Sequence, residues 1–121
     1  MEHELLVVFG TTCNKSMKIL IDSGANGNFV SSDFVRDNKL KTIQYQTLVH
    51  VTLTDGKIKT TTLCKTELDL TVGDYNKKVN AQVLDLSYNL ILGKPWLTQN
   101  NPEIDWKNNK VTFSFEDRKH T

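Results

Sequence analysis

The stretch Ile19-Leu20-Ile21-Asp22-Ser23-Gly24-Ala25 decides how this chain is read. An apolar run short enough to be a buried strand delivers a carboxylate, a hydroxyl and a glycine onto what must be a tight loop. Asp22, at the end of such a strand, is expected to sit partly out of water. Ser23 can donate a hydrogen bond to a neighbouring backbone or carboxylate oxygen. Gly24 lets the chain turn where a side chain would obstruct it. Taken alone, Asp-Ser-Gly also fits an ordinary turn after a strand, and the rest of the chain has to discriminate. A degradation signal of the form Asp-Ser-Gly-x-x-Ser is excluded, because position 27 is Gly27.

On either side, the pattern is that of short strands. Leu5–Phe9 is an apolar run, a turn follows through Thr11–Lys15, and Met17–Ile21 resumes the run. Val49, Val51 and Leu53 alternate with His50 and Thr52, and Asp55-Gly56 then marks a hairpin. Lys57 to Thr62 is rich in β-branched residues. Leu68, Leu70 and Val72 alternate with Asp69 and Thr71 up to Gly73-Asp74, and Val79, Ala81 and Val83 alternate again before Leu90-Ile91-Leu92. The last run is Val111–Phe115. Two segments read as helices: one capped at Ser32-Asp33 and running through Asn38 with Phe34 and Val35 inward, and one from Pro95 to Asn100. Many short strands with turn signals between them predict an all-β barrel or sandwich with one or two minor helices.

Composition narrows the class. The chain has 121 residues, 38% apolar and 24% charged, which fits one small globular domain over residues 1–121 and excludes disordered, collagen-like and membrane-spanning classes. The polar tail 116–121 is expected to fray. A net charge of +1, with the lysines spread out, gives no electrostatic argument for nucleic acid or an anionic membrane. Cys13 and Cys64 have no metal-like spacing, and His3, His50 and His120 are scattered singly. Trp96 and Trp106 read as core residues. Leu5–Phe9 is too short for a signal peptide and follows acidic Glu2 and Glu4, so a cytoplasmic location is expected.

With Asn28-Phe29-Val30-Ser31 added, the opening stretch resembles the active-site loop of retroviral-type (retropepsin-like) aspartic proteases, above all those of gypsy-class retrotransposons and their domesticated relatives. About sixty residues on, Asn89-Leu90-Ile91-Leu92-Gly93 resembles the second signature of that family. Pro95-Trp96-Leu97, Asn101-Pro102-Glu103-Ile104-Asp105-Trp106 and Val111-Thr112-Phe113 resemble the gypsy-class ending, so the likeness covers roughly residues 5 to 115 in order.

The resemblance implies a small closed acid-protease barrel that works as a homodimer on polypeptide substrates, a Gag-Pol-like polyprotein in the first place, with neither metal nor cofactor. It implies that Asp22 is catalytic, one from each copy, that Ser23 links the two loops at the dimer axis, and that Gly24 presents its carbonyl to substrate. Ala25 and Asn26 would lie along the substrate, and Asp55 and Gly56 would be the tip of a covering flap. Leu92 and Gly93 would support the active-site loop from below. A domesticated domain of the same fold, acting as a dimerisation or peptide-binding module with little proteolysis, is the alternative.

Three features depart from the retroviral pattern. Asn26 and Lys94 stand where an aspartate–arginine ion pair is usual, leaving at most a hydrogen bond between them. The flap segment Thr54-Asp55-Gly56-Lys57 has one glycine. The carboxyl end is longer and differently spaced.

Overall fold

The computed structural model describes residues 6–53, 58–105, 107–108, 110–115 and 118–120. Strands β1 (Leu6–Thr12) and β2 (Lys15–Ile21) form a hairpin in register from Leu6↔Ile21 to Thr12↔Lys15. Its two-residue turn has Cys13 and Asn14 at positive φ (49° and 63°), the backbone that matches the twist of the strands. After a loop come β3 (Phe29–Ser31) and helix α1 (Ser32–Asp37), then β4 (Ile43–Leu53), β5 (Ile58–Val72) and β6 (Tyr75–Leu84). β7 (Leu90–Leu92), helix α2 (Lys94–Asn100), β8 (Glu103–Asp105), β9 (Lys110–Phe115) and β10 (Arg118–His120) complete the order.

The main sheet runs β1-β2-β7-β3-β6-β5-β4, and β1 also meets β5 at Thr11↔Thr71. That bridge closes β1, β2, β7, β3, β6 and β5 into a ring, with β4 as an extension that, among the described strands, ladders with β5. Gly10 makes the seam possible: a Cβ there would lie 2.5 Å from the Thr71 carbonyl oxygen and 2.8 Å from the Val72 side chain. β2 runs parallel to β7, and β3 parallel to β6, while β3 is antiparallel to β7. The chain between β2 and β3 therefore emerges at the middle of the sheet.

Central position explains the continuous apolar runs. A strand covered on both faces buries every side chain, not alternate ones. Ile19, Ile21, Leu90 and Leu92 enter the main core with Leu6, Met17, Leu68, Leu70 and Tyr75. Leu20 and Ile91, on the opposite face of the same strands, join a second cluster with Ala25, Phe29, Val51, Leu53 and Leu84. β5 is one fifteen-residue strand where the sequence suggests two, because Cys64 and Lys65 keep their pairing to β4 while Lys65 begins the ladder to β6. β4 starts earlier than its alternating stretch and breaks register between Gln44 and Val49.

Helix α1 is capped one residue before the expected position: the Ser31 hydroxyl accepts from the Phe34 amide at 3.2 Å. Helix α2 contains Pro95 in its first turn and buries Trp96, 2% exposed. The Trp96 indole donates to the Tyr75 hydroxyl at 3.0 Å, and that hydroxyl donates to Asn100 Oδ1 at 3.2 Å. The two rings meet edge to face, 5.9 Å apart. Burial raises the Tyr75 pKa above its ordinary value of 10.0, and the Trp96 hydrogen bond partly offsets this. Trp106 lies outside the described residues.

The carboxyl end forms its own antiparallel sheet, β8-β9-β10, within the one chain. Arg118–His120, inside the tail expected to fray, pairs there with β9. β3 and β8 carried no strand signal, being only three residues each.

Candidate active site

The loop from Asp22 to Asn28 is held from behind by the β7–α2 junction. The Asp22 amide donates to the Leu92 carbonyl at 3.0 Å, continuing the parallel ladder of β2 and β7 one step beyond the strands. The Lys94 amide donates to the Ala25 carbonyl at 2.9 Å, and the Gly93 amide to Asn28 Oδ1 at 3.0 Å. Asn28 also anchors to β6: its carbonyl accepts from the Gln82 amide at 2.8 Å, and its Nδ2 reaches the Asn80 carbonyl at 3.4 Å. Gly93 is buried so tightly that a Cβ would sit 2.7 Å from the Ala25 carbonyl oxygen and press on that of Gly27. Its φ of −100° suits any residue, so the requirement for glycine here is purely steric.

Within the loop, the Asp22 carboxylate accepts from the Gly24 amide at 2.9 Å, and the Ala25 amide donates to the Asp22 carbonyl at 3.2 Å. This is an Asx-type turn, which fixes the carboxylate without a side-chain partner. Asp22 and Gly24 are half-buried and Ser23 is exposed. Among the described residues no ion pair reaches Asp22, and no cluster of three or more His, Cys, Asp or Glu side chains suits a metal. The arrangement is a single, backbone-fixed carboxylate with a hydroxyl beside it.

Ala25 and Asn26, expected along a substrate, both meet β4 in this chain. Ala25 is 1% exposed, its methyl turned into the second cluster with Val51, Leu53 and Ile91. A side chain this small is accommodated because β4 lies close against the loop. Asn26 does not pair with the Lys94 side chain, which is exposed; it pairs with Thr52 of β4. The Thr52 amide donates to Asn26 Oδ1 at 2.9 Å, the Asn26 amide to the Thr52 carbonyl at 3.0 Å, and Asn26 Nδ2 to Thr52 Oγ1 at 3.4 Å. Asp55 and Gly56 lie outside the described residues; the flanking strands pair as far as Leu53↔Ile58.

Sequence reasoning gave no role to Asn28, Thr52 or Asn89. Asn89 Oδ1 accepts from the Lys18 amide at 2.7 Å, and its backbone ties β2 to β3 through Lys18 and Ser31. Each is an Asn or Thr beside a strand end, where a side-chain amide or hydroxyl commonly replaces a missing ladder bond. That is a signal, but one shared by every other such residue in the chain.

Two solved structures share this fold. The retroviral protease-like domain of Ddi1 from Leishmania major is 17% identical, with a TM-score of 0.66 over 93% of this chain and 87% of that one. A retropepsin-like aspartic protease from Rickettsia conorii is 21% identical, with a TM-score of 0.52 over 84% of this chain and 76% of that one. The sequence itself matches the PEG10/RTL1 protease domain over residues 18–121, from the middle of β2 through the loop of Asp22 and the β7–α2 junction to the end. The chain belongs to the PEG10/RTL1 protease domain family, with the retropepsin-like fold.

Proposed function

We propose that this domain is an aspartic endopeptidase that assembles as a homodimer and cleaves a Gag-Pol-like polyprotein. What carries the reading is Asp22: a half-buried carboxylate on a loop fixed by backbone bonds from Leu92 and Lys94, present once per chain. A water-activating pair then needs Asp22 of a second copy. Two carboxylates about 3 Å apart cannot both ionise, which is the general behaviour of aspartic proteases, so the pair shares one proton. One carboxylate takes a proton from the attacking water while the other protonates the scissile carbonyl oxygen. The Asx turn from Gly24 leaves the second oxygen of Asp22 for that work. Ser23, exposed next to Asp22, is the group that links the two loops.

The test is cleavage of a peptide library at mildly acidic pH, with enzyme concentration varied. Activity should vanish in Asp22→Asn, whose fold is unchanged, and should rise faster than linearly with concentration in the parent. Ser23→Ala should weaken the dimer in sedimentation. Cleavage that survives Asp22→Asn would remove the reading.

One observation favours a second reading, a dimerisation or peptide-binding module with little turnover. Ile43, Leu48 and Leu63, on the β4–β5 pair, are 62%, 53% and 59% exposed, apolar side chains that a bound peptide or a second copy would cover. Stable dimers and peptide binding without cleavage at any pH would select it.

A further inference from the structure

We infer that the Asn26-Gly27 pair, in the loop of Asp22, is a site of spontaneous covalent modification, where the Asn26 side-chain amide is lost and aspartate or isoaspartate takes its place. The chemistry needs neither a dimer nor a substrate, so the inference stands apart from the reading of Asp22 as catalytic.

Asn26 is the one asparagine of the chain that a glycine follows. An asparagine side chain can be attacked at Cγ by the backbone nitrogen of the next residue. A Cβ on that residue crowds the approach, whereas glycine has none and turns freely. The fold suits the reaction at this place. Asn26 is exposed and Gly27 half-buried, so water and hydroxide reach the pair. Among the described residues the Gly27 amide donates no hydrogen bond, and its proton is free to leave. The Thr52 amide donates to Asn26 Oδ1 at 2.9 Å. That oxygen gains negative charge in the attack, and a donor already aimed at it lowers the barrier.

In the first step hydroxide takes the Gly27 amide proton and the nitrogen bonds to Asn26 Cγ. The Cγ–Nδ2 bond then breaks, ammonia leaves, and a cyclic imide remains. Water opens the imide on either side. Addition at Cγ gives aspartate, which keeps an oxygen for the Thr52 amide and leaves the main chain as it was. Addition at the backbone carbonyl carbon gives isoaspartate, whose main chain runs through Cβ and Cγ and is longer by a methylene. The added length falls between two anchored residues. The Ala25 carbonyl is held by the Lys94 amide at 2.9 Å. Asn28 is held by the Gln82 amide at 2.8 Å and by the Gly93 amide at 3.0 Å. A longer chain between those points displaces the loop from the β7–α2 junction.

The experiment incubates the folded protein from neutral to mildly alkaline pH, then digests it and maps the peptides by mass, with Asn26→Asp as the standard for the aspartate product. Position 26 should convert before any other asparagine, faster as pH rises, with one ammonia released per conversion. Gly27→Ala should slow it about tenfold. The added Cβ would lie 3.0 Å from the end of the Phe29 ring and 3.1 Å from Gln82 Oε1, so a second variant, Asn26→Gln, guards against a misfolded control. Its longer side chain closes a less favourable ring and should also block the release. In hydrogen exchange, the Lys94 and Gly93 amides should be about tenfold faster in the isoaspartate form and parental in Asn26→Asp. Earlier conversion of another asparagine, conversion at position 26 only in urea, an undiminished rate in both variants, or parental exchange in the isoaspartate form overturns the inference.

Discussion

The loop of Asp22 is gripped on two sides, and the two grips are made of different material. Behind it, Leu92 and Lys94 meet it backbone to backbone and the Gly93 amide meets the Asn28 side chain, at a glycine where no Cβ fits. In front, Thr52 meets it largely through one exposed side-chain amide. The rear contact places a carboxylate and tolerates no adjustment. The Asn26 side chain lies at the surface, where hydrogen bonds exchange with water at little net cost.

The contrast is open to direct attack. Gly93→Ala forces backbone apart on both sides and should lower stability by about 3 kcal/mol, read from urea midpoints. A loss below about 0.5 kcal/mol would show that the rear contact is not rigid. Asn28→Ala leaves the amide of buried Gly93 without its acceptor and should lose about 1–3 kcal/mol. Tyr75→Phe, behind helix α2, removes the acceptor for Trp96 and should lose about 1–2 kcal/mol. Its pH dependence has a definite sign. Burial raises the Tyr75 pKa, so the folded chain holds the phenolic proton to higher pH than the unfolded chain does. That contribution is complete below the ordinary value of 10.0 and is lost as pH rises through the folded pKa, a decline that Tyr75→Phe should lack in alkaline unfolding curves. Asn26→Ala should be the mildest, within about 0.5 kcal/mol of the parent, as is usual for an exposed position. A larger loss would make the front grip structural and erase the contrast.

Much of the rear was legible in the sequence, and little of the front. The apolar runs around Asp22 and Gly93 announce buried strands because central strands hide both faces, and the alternation of Leu68, Leu70 and Val72 sets one face of β5. Both helices were visible from Phe34-Val35 and Pro95-Trp96, with an error of one residue at Ser31. The family pattern sets Asn26 opposite position 94, where an ion pair is usual. Its partner, Thr52, comes from a strand whose register breaks within itself, and a break of that kind leaves no mark in a hydrophobic pattern. The burial of Ala25 escaped for the same reason, since it depends on how close β4 lies. β3 and β8, three residues each, exist only because neighbouring strands offer them ladders.

The seam at Gly10 has a kinetic meaning. The β5–β6 hairpin joins residues near in sequence across the tight turn at Gly73, whose φ of 56° suits glycine, and can form early. Thr11 and Thr71 are far apart along the chain, and their single bridge can close only after both partners have been built. Ring closure is therefore expected to follow the hairpins, and a bulkier residue at position 10 is expected to leave the sheet open with unpaired edges that invite other chains.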